Sequence, residues 1–588
     1  MCGIFGFWKT SVLSNEDISF GIKCLDQLSH RGPDDDGIWS SKKHKIFFGH
    51  KRLSIIDINK RSRQPFKFRN LILNFNGEIY NYKEIKEKLI SKGHTFETNS
   101  DTEVLIHAWS EWGEKCLDII DGMYAFAIFD NKNLWLVTDP FCEKPIFTYK
   151  NSDTLFFSSE PDVLIKELKL KVSLSENDIN EFLTLGFLST KTTCHPGLLS
   201  LSKGKIYKYD NSLRMEKKSY WKIPEKFIDK GKVHDFTKTE IENFRDKLIS
   251  SIRLRLRSDV SMGLFLSSGL DSSLIAALAS RELDAKLTTF SMQYKDGVDE
   301  TAHAQKISKY LGLPNVKVNS SLDKSWKKAP EFLINLYGTL NDNLTSISFL
   351  QMSKLARTHF KVAICGLGGD ELIYGYNKYH FFYKWRFLYN QNFFVKNLLR
   401  LIKPNMYSRF FKGSDLKRFL QIKNGGILPY DFLKKIELSG IEKQFHNNHK
   451  LSISSNLFDI NSTLEKNYIP SVERASMRES LEVRSPFLSR DLFEFIASID
   501  QRKFFKHGQK FLFKKLIKKY LPPELVNSKK RGFIFPINRY LKTVKNFEYE
   551  KVPFISNDFF NYLLKNKYSD NFNRVFFRII MIKEILKG

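Results

Sequence analysis

Between residues 240 and about 320 the chain alternates helix-type and strand-type runs, and this alternation constrains its fold more than any other feature. The helix-patterned IENFRDKLISSIRLRLR leads into VSMGLFLSS, a short buried-type run, followed by a turn and SLIAALASREL. LTTFSMQY, AHAQKISKYLG and NVKVN continue the series. Parallel strands need long crossovers, usually helices, so this order predicts βαβ units and a doubly wound parallel sheet.

The first 210 residues read differently. IFFGH, LILNFNG, YAFAIFD, LWLVTD and TLFFSS are β-type runs. YKEIKEKLISKG and TEVLIHAWSEWG between them repeat apolar residues at helical spacing. Packed sheets with helices outside are predicted there. The polar stretch KIPEKFIDKGKVHDFTKT has the composition of a linker, and from Phe381 onward the chain reads as mostly helical. The expected organisation is 2–210, a linker over 211–239, and 240–588. At 588 residues the chain exceeds a single core and suggests about two to four domains.

The formal charge of +29 raises the question of a polyanion partner. The lysines are dispersed and accompany many Phe, Ile and Asn, so no nucleic acid is expected. The densest basic–aromatic stretch, Phe381 to Gly413, reads as amphipathic helices with aromatics inward. Six cysteines occur without a CxxC pair, which leaves zinc and thioredoxin readings unsupported. No signal-peptide pattern and no membrane-length apolar run is present, so a cytoplasmic, reduced protein is expected.

Cys2 follows the initiator Met, with small residues behind it. Removal of Met would place a thiol and an α-amine on one residue, and an amine of pKa about 7.7–8.0 can act as base to its own thiol. A cysteine at position 2 is usually incidental, but four further segments follow in order. They are HRGPDDDG (His30–Gly37), GHKRLSIID (Gly49–Asp57), NFNGEIYN (Asn74–Asn81) and SDTEVLIHAW (Ser100–Trp109). With MCGIFG they resemble the class II glutamine amidotransferase domain, an N-terminal-nucleophile αββα sandwich. The resemblance implies that Cys2 attacks glutamine and that Asn76 and Gly77 form the oxyanion hole. It also implies that Arg52 holds the substrate carboxylate and Asp101 its amine, with Glu78 assisting. DPFCEKPIFTY carries Cys142 where such domains usually have Gly, which restricts the backbone if that position needs positive φ.

SSGLDSS (Ser267–Ser273) falls between a predicted strand and a predicted helix, where backbone N–H groups cradle anions. It is neither a Walker loop nor a dinucleotide fingerprint. It resembles the pyrophosphate loop of ATP pyrophosphatases, with Ser268 in place of the first Gly. VAICGLGGDELIYGYNKY, ERASMRESLEVRSPFLSRDL and GQKFLFKKLIKKYLPPELVNSKKRGFIFPI extend the resemblance to glutamine-hydrolysing asparagine synthetases over nearly the whole chain. That family implies a pyrophosphatase domain with a helical C-terminal part, and ATP and Mg²⁺ as cofactors. Ser267, Ser268, Gly269, Asp271, Ser272 and Ser273 would wrap the pyrophosphate, and Asp271 and Asp370 would hold Mg²⁺. Leu266, Met292, Cys365 and Gly366 would line the adenosine pocket. Lys510, rather than Lys514, would stabilise the leaving group. Arg484 is either an active-site group or a structural ion-pair partner.

The acceptor half departs from the family pattern. CGLGGDEL has Leu367 where the family has an acid, and Leu can neither accept a proton nor pair with ammonium. Gly338, Thr339 and Asn343 stand where acids are usual, and Ser489 replaces an Asp. A neighbouring acid such as Glu371 substitutes, or the acceptor is not aspartate, or the synthetase half is impaired. The expected partners are glutamine and a carboxylate, first aspartate and alternatively a uronic acid. An ATP pyrophosphatase acting on tRNA is a distant alternative, a homodimer is possible, and no membrane is expected.

Overall fold

The computed structural model describes residues 2–189, 193–294, 301–320, 328–386, 415–423, 451–526, 552–555, 557–565 and 570–587, with Leu401, Ile537, Tyr540 and Leu541. Most of the amphipathic stretch predicted over 381–413, and the end of the C-terminal motif at 527–536, lie outside the described residues.

Two six-stranded antiparallel sheets build the first half. One runs β10 (Leu198–Ser200), β8 (Phe147–Lys150), β9 (Thr154–Ser158), β1 (Gly3–Lys9), β3 (Ile46–Arg52), β2 (Asp35–Ser41). The other runs β12 (Met215–Ser219), β11 (Lys205–Tyr209), β7 (Leu134–Thr138), β6 (Gly122–Phe129), β5 (Leu71–Ile79), β4 (Phe66–Phe68). Alternation along β1 sets the layering. Ile4 and Trp8 meet Phe48, Ile72, Ala125 and Phe129 between the sheets. Phe5 and Phe7 point the other way, to α1 (Asn15–Asp26) and α4 (Pro161–Glu167), through Leu25 and Leu164. Beyond the second sheet, Leu73, Phe75 and Phe126 pack under α2 (Tyr82–Ile90) and α3 (Asp101–Trp112). The result is helix, sheet, sheet, helix, as the resemblance implied.

The second half holds a five-stranded parallel sheet ordered β15 (Asn315–Ser320), β14 (Thr288–Tyr294), β13 (Met262–Phe265), β16 (Val362–Ile364), β17 (Glu482–Arg484). The chain steps outward from β13 to β15, then returns to the other side of β13 as β16. The carboxyl ends of β13 and β16 therefore flank a topological switch point, where doubly wound sheets bind ligands. Helices α6 (Lys238–Arg255), α7 (Leu270–Leu283), α8 (Thr301–Leu311) and α10 (Thr345–Ala356) cover the sheet, while α5 (Glu176–Leu185) of the first half and α9 (Ala329–Tyr337) of the second pack in a separate core. A capping box of Thr237 and Glu240 starts α6.

The stretch read as a linker is mostly exposed but anchored at a few points. Met215–Ser219 is the edge strand β12, paired with β11. Trp221 packs tilted against Phe141 at 5.2 Å between ring centroids, and Phe236 meets Phe504 edge-on at 5.1 Å. Local charge concealed these anchors, since two buried aromatics suffice to hold a polar strap. Apolar contacts continue across the halves, with Ile179 and Phe182 of α5 sharing a core with Leu333 of α9 and Phe577 of the helix Asp570–Ile585. Among the described residues no helix is long and apolar enough to cross a membrane, and all six cysteines are free thiols.

Candidate functional site

Five of the predicted glutamine-site residues converge on the start of β1 and the end of β5. The Cys2 backbone N–H donates to Asn76 Oδ1 at 3.0 Å. This contact aligns the Asn76 amide so that Nδ2 is its remaining donor, and Nδ2 is buried without a hydrogen-bond partner. A buried orphan donor costs about 1–3 kcal/mol unless an acceptor arrives. Gly77 follows, and a Cβ there would lie 2.2 Å from Met123 O, so β6 approaches too closely for any other residue. Burial pushes the Cys2 thiol up, while the Leu53 backbone N–H and the Arg52 guanidinium act in the opposite direction. Cys2 is 7% exposed and needs a base to become a nucleophile.

Arg52, the last residue of β3, donates to the carbonyls of Asn59, Ile56 and Asp57. Those bonds fix the fork and leave donor capacity on a guanidinium that carries five N–H groups. Asp101 begins α3 and accepts from Ile79 N at 2.9 Å. Burial raises its carboxyl to about 6. Glu78 stands well above the usual carboxylate range through burial and the nearby Glu482 and Asp101.

The second centre lies at the switch point. Ser267 to Gly269 leave β13, and Gly269 starts α7 without a side-chain cap, so the first turn of a 14-residue helix presents its amides as an anion site does. Ser267 Oγ accepts from Gly269 N at 3.0 Å, and Ser273 Oγ donates to Gly269 O at 2.8 Å. Ser272 Oγ lies 3.1 Å from Ser267 Oγ. Ser268 is buried beside them. The loop after β16 closes on this turn, because a Cβ on Gly366 would sit 3.1 Å from Asp271 Cβ.

Asp271 and Asp370 meet at one cation. Lys510 Nζ donates to both Asp271 carboxylate oxygens at 2.6 Å and lies 2.8 Å from Asp370 Oδ1. Burial works against the Lys510 charge, but the two carboxylates more than offset it and hold the ammonium above its usual range. Lys510 adopts φ 53°, a left-handed backbone that costs about 1–2 kcal/mol for a side chain with Cβ. Gly375 permits the cluster, since its Cβ would fall 2.1 Å from Asp370 Oδ1. Two carboxylates converging on one positive charge beside an anion cradle fit the donor set of a Mg²⁺–phosphate site. Lys514 is exposed one turn along and stays apart from these acids. Leu266 belongs to a core with Leu274 and Ile364, whereas Met292 and Cys365 pack with Phe265 and Met352 in a separate cluster.

A buried polar seam joins the centres. Arg484 Nε donates to Glu482 at 2.6 Å, its Nη1 to the Arg255 and Arg257 carbonyls, and its Nη2 lies 3.6 Å from Glu78 of the first half. It is thus an ion-pair residue placed behind the glutamine site. Arg31 contributes a second link, to Glu160 at 2.9 Å and to Glu473. Arg478 reaches Asp162 at 2.9 Å. Sequence reading assigned no role to Arg31, Glu160, Glu473 or Arg478. HRGPD and ERASMRES display them, but pairing across more than 400 positions has no local signal.

The acceptor side is rearranged. Leu367 is partly buried and its carbonyl accepts from Ser485 Oγ. Glu371 accepts from Tyr376 OH at 2.7 Å, and burial raises it to about 7. It does not line the cavity that Leu367 lines. Asp342 is held by Arg578 at 2.7 Å and Arg574 at 3.2 Å. Asn343 donates to Asn467 at 2.5 Å, and Thr339 Oγ1 lies 3.2 Å from Cys194 Sγ. Gly338 ends α9 with φ 58°, and Ser489 starts the helix Arg490–Ser498. Cys142 does occupy positive φ, at 58°.

Comparison with known proteins gives matches along the chain. A family model described as a glutamine amidotransferase domain matches residues 1–221, and one described as asparagine synthase matches residues 243–565. A Bacillus subtilis (strain 168) protein named asparagine synthetase [glutamine-hydrolyzing] 1 is 29% identical, with 93% of this chain and 89% of that protein covered. Asparagine synthetase [glutamine-hydrolyzing] 3 of the same organism is 27% identical, with 93% and 90% covered. A Methanocaldococcus jannaschii protein named putative asparagine synthetase [glutamine-hydrolyzing] 2 is 30% identical, with 64% and 76% covered.

Proposed function

The chain belongs to the asparagine synthase family, and from that membership we propose that it is a glutamine-dependent ligase converting aspartate to asparagine with ATP. One observation carries the reading: one chain holds a thiol beside an orphan amide donor and an anion cradle with paired carboxylates, in two halves tied by buried ion pairs. Neither centre alone requires a partner, but a nitrogen-releasing site joined to an acyl-activating site describes amide synthesis.

In this reading the α-amine of Cys2, freed by loss of Met1, takes the thiol proton, and Sγ attacks the glutamine amide carbon. Asn76 Nδ2 and the Gly77 N–H stabilise the oxyanion, so the orphan donor finds its acceptor only in the transition state. Arg52 and Asp101 orient the glutamine backbone, with Glu78 assisting. Ammonia leaves, and water later releases glutamate from the thioester. At the second centre Ser267–Ser273 hold the pyrophosphate of ATP, and Leu266, Met292, Cys365 and Gly366 border the adenosine. Asp271 and Asp370 would hold Mg²⁺, which neutralises phosphate charge when bound. Lys510 then turns from the carboxylates to the phosphates. The acceptor carboxylate attacks the α-phosphorus, pyrophosphate departs, and ammonia displaces AMP from the acyl-adenylate.

A second reading keeps the chemistry and changes the acceptor to another carboxylate, such as a uronic acid. Leu367 and the capture of Asp342 by Arg574 and Arg578 favour it, because both withdraw acidic groups from the acceptor side. An acceptor screen for AMP release with glutamine and ATP, aspartate beside several uronic acids, decides between them. AMP release with aspartate supports asparagine synthesis; release with a uronic acid alone replaces it.

A further inference from the structure

Where the two halves meet lies a cavity of about 20 Å³, walled by Glu143 and Lys144 of the first half and by Cys365, Leu367, Glu473 and Val483 of the second. It suits one water-sized molecule, since one water needs about 10–15 Å³ of such space. Two carboxylate oxygens in its wall are buried without hydrogen-bond partners, Glu143 Oε1 and Glu473 Oε2. Both residues are 5% exposed. The two acids differ in one respect. Glu473 is engaged by Arg31, which compensates its charge. Glu143 has no ion pair among the described residues.

The loop bearing Glu143 is fixed in place. Asp139 accepts from the backbone N–H groups of Phe141, Glu143 and Lys144 at 2.8, 3.1 and 3.1 Å. Cys142 is held at φ 58° within the same turn. Such strain persists only where the surroundings over-determine it. The turn therefore presents the Glu143 carboxyl to the cavity on a rigid mount. The charged groups around it are Asp139 and Lys144 on its own loop, Asp121 before β6, Arg255 of α6, and Glu473 opposite. Burial raises Glu143 to about 8, so its carboxylate is populated near and above pH 8 and is there a stronger base than an ordinary carboxylate.

We infer that Glu143 is the proton acceptor for nitrogen crossing between the sites, receiving one proton from an ammonium ion in this cavity and releasing it as ammonia. This rests on the proposed function, in which nitrogen must reach the acyl-adenylate with its lone pair available. The step balances as ammonium plus carboxylate giving ammonia plus carboxylic acid. The carboxylic acid returns its proton to water after the products leave. Low polarity favours the neutral pair over the ion pair, and Lys144 in the wall opposes a second cation. Leu367 offers no competing acceptor on the facing wall.

Infrared difference spectra of the full chain, with ammonium chloride against sodium chloride near pH 8, test the assignment directly. The wild type should gain a protonated-carboxyl C=O band on ammonium addition, and Glu143→Gln should not. In the same variant AMP release with the accepted carboxylate should fall about 10²-fold. Glutamine hydrolysis and ATP–pyrophosphate exchange report that each half is folded. Adding Leu367→Glu to Glu143→Gln should recover AMP release by returning an acid to the opposite wall. An ammonium-dependent band equal in wild type and Glu143→Gln, or none in either, overturns the assignment, as does unchanged AMP release in the variant. If the wild type shows the Glu143 band but releases no AMP with any carboxylate, the proposed function fails and the proton role stands.

Discussion

The glutamine centre and the nucleotide centre differ in how they wait for substrate. At the first, Asn76 Nδ2 is left without an acceptor, and the fork of Arg52 is pinned by three carbonyls. At the second, Lys510 already pairs with Asp271 and Asp370, and the proposed mechanism has it released when ATP binds. One centre carries an unmet donor and the other a provisional ion pair. Antiparallel sheets cross-braced by β5 and β6 can hold the former rigidly. Asp271, beyond β13, and Asp370, beyond β16, are bridged by the Lys510 side chain, which suits the latter.

The largest effects should separate the two. Cys2→Ala should abolish glutamine-dependent AMP release by about 10³-fold or more while ammonia-dependent release continues. Asp271→Ala should remove ATP–pyrophosphate exchange and leave glutamine hydrolysis intact. Loss of both activities in either variant would break the two-centre comparison.

Arg484 belongs to both regions, so it sharpens the comparison at their border. Arg484→Met leaves Glu482 buried without its guanidinium, at a cost of about 3–5 kcal/mol. Calorimetry should show a lower thermal midpoint, and the KM for glutamine should rise as Glu78 loses its neighbour. A glutamine KM equal to wild type would confine Arg484 to the second half.

A smaller effect follows from Asp101. Its folded carboxyl titrates near 6, above the ordinary carboxylate value. The stability gained from its neutral form is complete below the unfolded pKa and is lost as pH rises through about 6. In the proposed mechanism glutamine binding runs in the opposite direction, because the ionised form would pair with the substrate ammonium. The KM for glutamine should rise about tenfold per pH unit below 6, and the nucleotide centre should show no matching change in ATP KM. A flat glutamine KM between pH 5 and 7 would remove Asp101 from the site.

Both architectures were legible from periodicity: period-two runs before residue 210, and strand–helix alternation after 240. The Ser267–Ser273 turn was legible as a turn between a strand and a helix, while its phosphate role came only from the family resemblance. What escaped reading was any feature whose signal is shared between distant segments. Trp221 and Phe236 anchor a stretch that reads as a solvated linker. Gly375 matters only because Lys510 and Asp370 meet beside it.

Cys2, Asn76, Arg52 and Asp101, and likewise Asp271 and Asp370, were named through the family resemblance that short sequence motifs carry. The replacement of an acid by Leu367 was equally visible, but not its consequence. Tertiary structure alone decided that Glu371 turns to Tyr376 while Glu143, from the other half of the chain, reaches the cavity beside Leu367. The reason is physical: identity fixes what a side chain can accept or donate. Burial and neighbours drawn from hundreds of residues away fix whether it is charged, paired or free to react.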